Sequence, residues 1–552
     1  MLHTPILKHS AKQIQARAGK LRAARNSLWL ASALCMAWPA AHSASNPKDP
    51  SAKAQSAASS SDGSRFGVAK KPLAPEMKAM YEYRSKAKTL SDATFEAQTA
   101  IHRAHIIMLA EQKIISRDEA RAILAGLGAV NKAAQTNPSL FAYMVYERAL
   151  MKEVGEVAGK MHIGRSRNDL VNAANRMYYR EGINRIVGVM IRLREALVDQ
   201  AKQNLDTVMP VYTHRKQAQP ITLGHYLMAH AEALGRNIDR YEDLYRRVNL
   251  NPLGSAASAG TGFPLNRERT AELLGFDGLI VNTVEGVAAW DQIGELTTVN
   301  ALFTSQLSRL ASELQLWGTD EYGMLDFDGG YVGSSSIMPQ KKNAVSLEYI
   351  RQASAEALGD VVTVMSSVNS VEYQHTMVRE PLEPRSLDRV YVAADLMKGV
   401  VQTMTPQKAR MRRAATDGFL AMTELADTLV RESGLTFRDA DEVMAEVVQE
   451  AISRNIQGNQ ITRDMIRAAG QRVIGRNVEI SGASLKDALD PQVNVDRRNG
   501  AGGPAASAVM AAIKEATQQI AEQKRRLAQR EDKLKNKYSL LLKAEQDLAL
   551  KK

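Results

Sequence analysis

The run Gly333-Ser334-Ser335-Ser336-Ile337-Met338-Pro339-Gln340-Lys341-Lys342-Asn343 puts three hydroxyls, two ammonium groups and two carboxamides within eleven residues. A small-residue segment that opens into a helical stretch, here from Ala344, can aim several backbone N–H groups at one point, and lysines beside it strengthen the positive field. A serine hydroxyl is a poor base in water. In such a field its alkoxide is less costly, and it can take a proton from a carbon next to a carboxylate. Four small residues by themselves read as a mobile linker, so the chemistry rests on the whole string. Upstream, Arg165 and Arg167 offer planar forks suited to carboxylates, with Ser166 and Asn168 as neutral donors. Ser166-x-x-Asp169 ahead of an apolar run also reads as a helix cap. In Tyr212-Thr213-His214, the histidine is of the type that titrates near neutrality, and a carboxylate beside it would fix its tautomer. Alone, near a helix start led by Pro220, it reads as structural. His102-x-x-His105 has near-ligand spacing without a carboxylate motif beside it, and reads as a surface and a core histidine, with no metal.

Such groups need rigid elements to hold them. At 552 residues the chain exceeds a single small core, and about 150 residues per domain allows three or four units. Aromatic content is only 5%, while Ala, Leu, Met, Arg, Glu and Gln abound, side chains that lose little freedom in a helix, so the fold class is all-α. Ile186, Val189, Met190, Leu193, Ala196 and Leu197 mark one helical face; Phe303, Leu307, Leu310, Leu314 and Trp317 mark another, which together predict a bundle. Gly, Pro and Asn cluster at 249–264, 323–343 and 490–504, the loop candidates. Ile513, Ile520, Leu527, Leu534 and Leu541 recur every seven residues amid alternating charge, as in a terminal helix that coils with a partner or stands solvated.

The formal net charge is +12, but Lys8, Lys12, Arg17, Lys20, Arg22 and Arg25 precede any acidic residue. The remainder is mildly basic, without the patches of a nucleic-acid surface, and suits a small anionic substrate. Leu28 to Ala41 is apolar but too short to span a bilayer, and Ala41-His42-Ser43 offers the small residues of a cleavage site. The expectation is export to the periplasm or beyond with no stable membrane anchor, or a cytoplasmic enzyme if the extension is not a signal. Bulky Leu34 speaks against a lipid anchor on Cys35. As the one cysteine, Cys35 leaves a mature chain without disulfide or thiolate metal site.

Gly-Ser-Ser-x-Met-Pro-x-Lys-x-Asn is the signature of the fumarase/aspartase superfamily, and its Gln-Lys-Lys-Asn ending resembles the argininosuccinate lyase branch. Met161-His162-Ile163-Gly164-Arg165-Ser166-Arg167-Asn168-Asp169 and Tyr212-Thr213-His214-Arg215-Lys216-Gln217-Ala218-Gln219-Pro220 are similar to two further signatures of that branch, in the right order. Asn249 to Gly254, Thr270 to Phe276, Leu489-Asp490-Pro491 and Gly502-Gly503 extend the likeness from about Glu76 to about Glu522. The resemblance implies a small N-terminal helical domain, a long central bundle that tetramerises, and a small C-terminal helical domain, with each active site shared by three subunits. The corresponding segments are 1–43 as signal, 44–75 as linker, 76–165, 166–415 and 416–500 as the three domains, and 501–552 as a helical tail.

By the same resemblance Ser335 is the base, with Ser334 and Ser336 as the alternatives, and His214 pairs with Glu348. Ser166, Arg167, Asn168 and Thr213 hold the succinyl carboxylates, and Lys341 and Asn343 stabilise the aci-carboxylate. Gln219 and Tyr373 contribute to substrate binding. No cofactor is implied. The activity implied is anti-elimination of fumarate from an N-substituted aspartate, argininosuccinate first. Two departures fall in the leaving-group half: the branch's Glu-Asp-x-His becomes Leu140-Phe141-Ala142-Tyr143, and its Gln after the conserved tyrosine becomes Val378. They leave room for another N-substituted aspartate, aminopolycarboxylates such as ethylenediamine disuccinate included. An exported binding protein that has lost catalysis is the third reading.

Overall fold

A computed structural model of the chain describes residues 71–85, 90–369, 371–375 and 385–550. These belong to one unit, Asp62–Lys552; the other, Met1–Ser61, lies outside them, and with it the expected signal segment and Cys35. Val378 also lies outside the described residues.

The fold is all-α, helices joined by short turns, with four two-stranded pairings among the described residues. We number the helices used below α1 (Pro75–Ser85), α2 (Leu90–Glu111), α3 (Arg117–Ala134), α4 (Tyr143–Val154), α5 (Arg167–Gln203), α6 (Leu223–Val248), α7 (Asp291–Trp317), α8 (Val345–Asn369), α9 (Ser386–Thr403) and α10 (Ala506–Leu550). Local chemistry sets their ends. At α3, Ser116 Oγ accepts the Glu119 N–H (3.2 Å) and Glu119 accepts the Ser116 N–H (2.9 Å), a reciprocal cap at the positive end of the helix dipole.

The axis of the molecule is α5, 37 residues and so about 55 Å long. It packs against α6, α9, α10 and α2. Ile186, Val189, Met190 and Leu193 on α5, and Phe303, Leu307, Leu310 and Leu314 on α7, are all buried, so both sequence stripes face one core. Helices come close where side chains shrink. A Cβ on Gly235 of α6 would sit 2.9 Å from the Arg194 guanidinium, which is buried there and bonded to Ala231 O, Gln519 and Gln523.

Three large cores result. The first unites α5–α9 with Met77 and Met80 of α1; the second joins α2–α4 with Leu253 and the segment Ala271–Phe276; the third lies within residues 425–488. The heptad helix does not stand out in solvent. Over 45 residues α10 lies back along its own chain, Ile513 and Ile520 in the first core and Leu541 and Leu548 in the second. Ion pairs from Lys524 to Glu195, Arg526 to Glu242, Lys533 to Asp277 and Arg103 to Glu545 follow its length. No described helix is long and apolar enough to cross a membrane.

Candidate active site

The serine segment is a tight hairpin. Strand β3 (Gly333–Ser334) pairs antiparallel with β4 (Lys342–Asn343), Gly333 opposite Asn343 and Ser334 opposite Lys342. Continuing that register sets Ser335 across from Lys341. The Oγ of Ser335 accepts the N–H of Met338 (3.0 Å) and lies 3.4 Å from that of Ile337, so the loop aims backbone donors at this hydroxyl. Two donors on one oxygen favour its ionised form. The lysines divide: Lys342 is tied to Asp326 (3.0 Å), while exposed Lys341 has no ion pair among the described residues. Beneath the hairpin, Tyr331 donates to Glu76 (2.9 Å), Glu76 pairs with Lys398 of α9 (3.0 Å), and the Ala74 N–H reaches Gly330 O (3.1 Å).

His214 occupies another hairpin tip, between β strands Val208–Thr213 and Lys216–Thr222; Pro220, expected to lead a helix, lies in the second strand, and the helix starts at Leu223. The two turn residues, His214 and Arg215, have φ of 52° and 61°, the double left-handed turn that matches strand twist. Side chains other than Gly, Asn and Asp are uncommon there, and such strain collects at functional positions. His214 and Thr213 are exposed and Gln219 is half-buried. Glu348, in the first turn of α8, accepts from Gln315 (3.3 Å), and no bond to His214 is recorded among the described residues.

The third stretch caps α5. Ser166 Oγ accepts the Asn168 N–H (3.2 Å), and Asp169 Oδ1 accepts the Ser166 N–H (3.1 Å). Asp169 Oδ2 also takes the N–H groups of Gly254 (3.1 Å) and Ala256 (2.9 Å), which clamps the 249–264 loop onto the cap. Burial pushes this carboxyl up to about 6, against the pull of those N–H groups. The cap reading and the binding reading therefore coexist: the hydroxyl is occupied, while the Arg167 side chain is exposed.

Asn172, one turn further along α5, donates to Gly286 O (2.7 Å), and Glu285 beside it accepts from Tyr373. Tyr373 thus belongs to the same end of the molecule as Ser166, Arg167 and Asn168. It lines a groove of about 510 Å³ with Trp290, Asp291, Glu295 and Met365. The serine hairpin belongs to the opposite end. Tyr331 at its root abuts Gly399 of α9, and three residues on, Gln402 O accepts from Gln200 near the end of α5 (3.4 Å). The interval from residue 167 to 200 along α5 is roughly 50 Å. One protomer therefore carries both halves of the expected site without joining them.

Some groups near the cap went unread in the sequence. Tyr143 and His162 bond hydroxyl to Nδ1 at 2.7 Å, and both lie close to Arg165. His102 and His105, read as a surface and a core residue, are both 2% exposed; His105 Nε2 bonds Ile163 O (2.9 Å). No cluster of metal-ligating side chains occurs among the described residues.

A lyase family model matches residues 73–359, and an argininosuccinate lyase C-terminal model matches residues 419–496. The chain is 37% identical to an argininosuccinate lyase of Methanococcoides burtonii, over 77% of this chain and 88% of that enzyme. It is 38% identical to one of Methanocaldococcus jannaschii, over 76% and 87%. Among solved structures it resembles EDDS lyase in complex with formate, at 49% identity and a TM-score of 0.87, covering 88% of this chain and 98% of that one. A variant of EDDS lyase with bound fumarate matches equally well. The likeness to a 3-carboxy-cis,cis-muconate lactonizing enzyme from Pseudomonas putida, 20% identical with a TM-score of 0.63, is one of fold.

Proposed function

The chain belongs to the argininosuccinate lyase family of the fumarase/aspartase superfamily and is a carbon–nitrogen lyase, and on that premise we propose that it releases fumarate from an N-substituted aspartate at sites shared between the subunits of a homotetramer. The observation that carries this reading is the Ser335 hydroxyl, held under the backbone N–H groups of Ile337 and Met338 in the loop that ends at the Lys342–Asn343 strand.

In the proposed reaction Arg167, Ser166, Asn168 and Thr213 hold the succinyl carboxylates. Ser335 takes the Cβ proton, and the C–H electron pair delocalises into the adjacent carboxylate, stabilised by Lys341, Asn343 and the loop amides. That pair then forms the C=C bond as the C–N pair leaves with the amine, which takes up a proton. His214 and Glu348 act as a pair, and Gln219 and Tyr373 line the pocket. Because the serine hairpin and the α5 cap sit at opposite ends of a protomer, antiparallel packing of two copies would bring one end to the other. An exposed apolar stripe on α8 (Leu358, Val362, Met365), with Leu302 and Leu316 on α7, supports such packing. The basic run to Arg25 and the apolar segment to Ala41 support export.

Argininosuccinate is the first substrate of this reading, since the curated relatives carrying that name align over three quarters of the chain. A second, an aminopolycarboxylate such as ethylenediamine disuccinate, is favoured by the 49% identity to EDDS lyase and by Leu140 and Phe141 in place of an acidic pair. Incubating the purified oligomer with each compound and following fumarate by ultraviolet absorbance tests both. Turnover of either supports the elimination, the faster one identifies the amine, and fumarate from neither would overturn the reading.

A further inference from the structure

The cation preceding the α5 cap has no ion pair among the described residues. Arg165 is 5% exposed, and among the described residues its three guanidinium nitrogens meet no carboxylate or carbonyl at hydrogen-bond geometry, the Tyr143 hydroxyl being the polar group that interacts with them. A guanidinium withdrawn from water is costly unless an anion or acceptors meet it. Nearby carboxylates make no ion pair with it, although Asp169 lies within its field. Asp169 is spent on the N–H groups of Ser166, Gly254 and Ala256, and Glu147 acts on Tyr143 and His162 only through its field. Leu140 is buried, and Phe141 packs tilted against Phe95 with ring centroids 4.6 Å apart; neither brings a charge.

The imidazoles and phenols around Arg165 are neutral. Burial, and then the Arg165 charge, holds the imidazoles of His102, His105 and His162 below their usual range, while burial raises the phenols of Tyr143 and Tyr146. Tyr143 and His162 differ from the rest in being half-buried, and both feel Arg167 as well as Arg165. They therefore adjoin the residues that hold the succinyl group. On the other side of this end, Tyr373 is surrounded by Glu285 and Asp291, a field of opposite sign.

We propose that Tyr143 and His162, backed by the buried Arg165, form a carboxylate subsite for the leaving amine, so that the enzyme selects N-substituted aspartates whose departing amine itself carries a carboxylate. The proposal rests on the elimination reading above. Tyr143 and neutral His162 spend one hydrogen on each other, so the pair offers one donor to the carboxylate, the hydroxyl or the Nε2–H, and Arg165 supplies its charge from a region where water screens it little. A leaving amine without a carboxylate leaves that cation unanswered.

Two matched substrate pairs test it on the assembled enzyme: argininosuccinate against its decarboxylated counterpart built on agmatine, and ethylenediamine disuccinate against N-(2-aminoethyl)aspartate. In the pair that turns over, kcat/KM is at least tenfold higher for the carboxylate-bearing member. Arg165→Met lowers that member at least tenfold and the other less than threefold, which collapses the ratio. Should Arg165→Met fail to assemble, Tyr143→Phe, which keeps the ring, reduces the same ratio by three- to tenfold. Equal turnover of both members, or an equal loss on both in the variants, overturns the subsite and leaves the elimination standing. Fumarate from none of the four overturns both.

Discussion

Ser335 is a hydroxyl that meets two backbone donors, an arrangement that lowers the cost of its ionised form. Replacing it with Ala lowers kcat at least a thousandfold with KM changed less than severalfold, because the ground state does not use the alkoxide; fumarate release in the steady state measures this. Ser334→Ala or Ser336→Ala falls far less. This hairpin was legible because its string is long and ordered, and Pro339 anchors the count. Tyr143, His162 and Arg165 were not legible as a group, since their contact joins α4 to the turn before α5, and spacing alone does not bring those segments together. Asp169 was legible as a cap residue but not as the clamp on Gly254 and Ala256. Asp169→Asn weakens that clamp and costs about 1–3 kcal/mol, read as a fall in denaturant midpoint.

At the scale of elements, α5 and α7 were readable because their apolar stripes repeat at the helical period and are buried as expected. The His214 hairpin was missed: its strands are short and carry Pro210 and Pro220, and its turn uses His-Arg instead of Gly or Asn. For α10 the heptad repeat was read correctly and its partner was not. A seam of apolar residues does not say whether it meets a second helix or the flank of its own chain. Leu541, 1% exposed against α2–α4, makes the difference measurable. Leu541→Ala costs about 2–5 kcal/mol, seen as a lower midpoint of unfolding, without dissociating the oligomer. The α2–α4 core also carries an acid sensitivity. His105, held down to about 3 by burial, contributes stability that is present above the ordinary histidine pKa and is lost as pH falls through the depressed value. Midpoints therefore decline below about pH 6.5, by up to about 1.4 kcal/mol per pH unit for each such histidine, and His105→Gln flattens that slope.

Across the whole molecule, the decisive feature is that chemistry is divided between two ends of a bundle. The α5 cap, Tyr373 and the Tyr143–His162 pair share one end; the serine hairpin shares the other with the close of α5 and α9. The cores do not follow chain order: α1 enters the bundle core, and the 271–276 segment joins α2–α4. Under the proposed function, the roughly 50 Å between the two ends makes assembly a requirement for activity. The direct measurement is complementation: Ser335→Ala and Arg167→Ala oligomers, each inactive alone, are unfolded together, refolded and assayed for fumarate release. Sites that draw residue 335 from one subunit and residue 167 from another regain a sizeable fraction of wild-type activity in the mixture. A mixture that stays as inactive as its parents, although mixed oligomers have formed, would contradict the shared site.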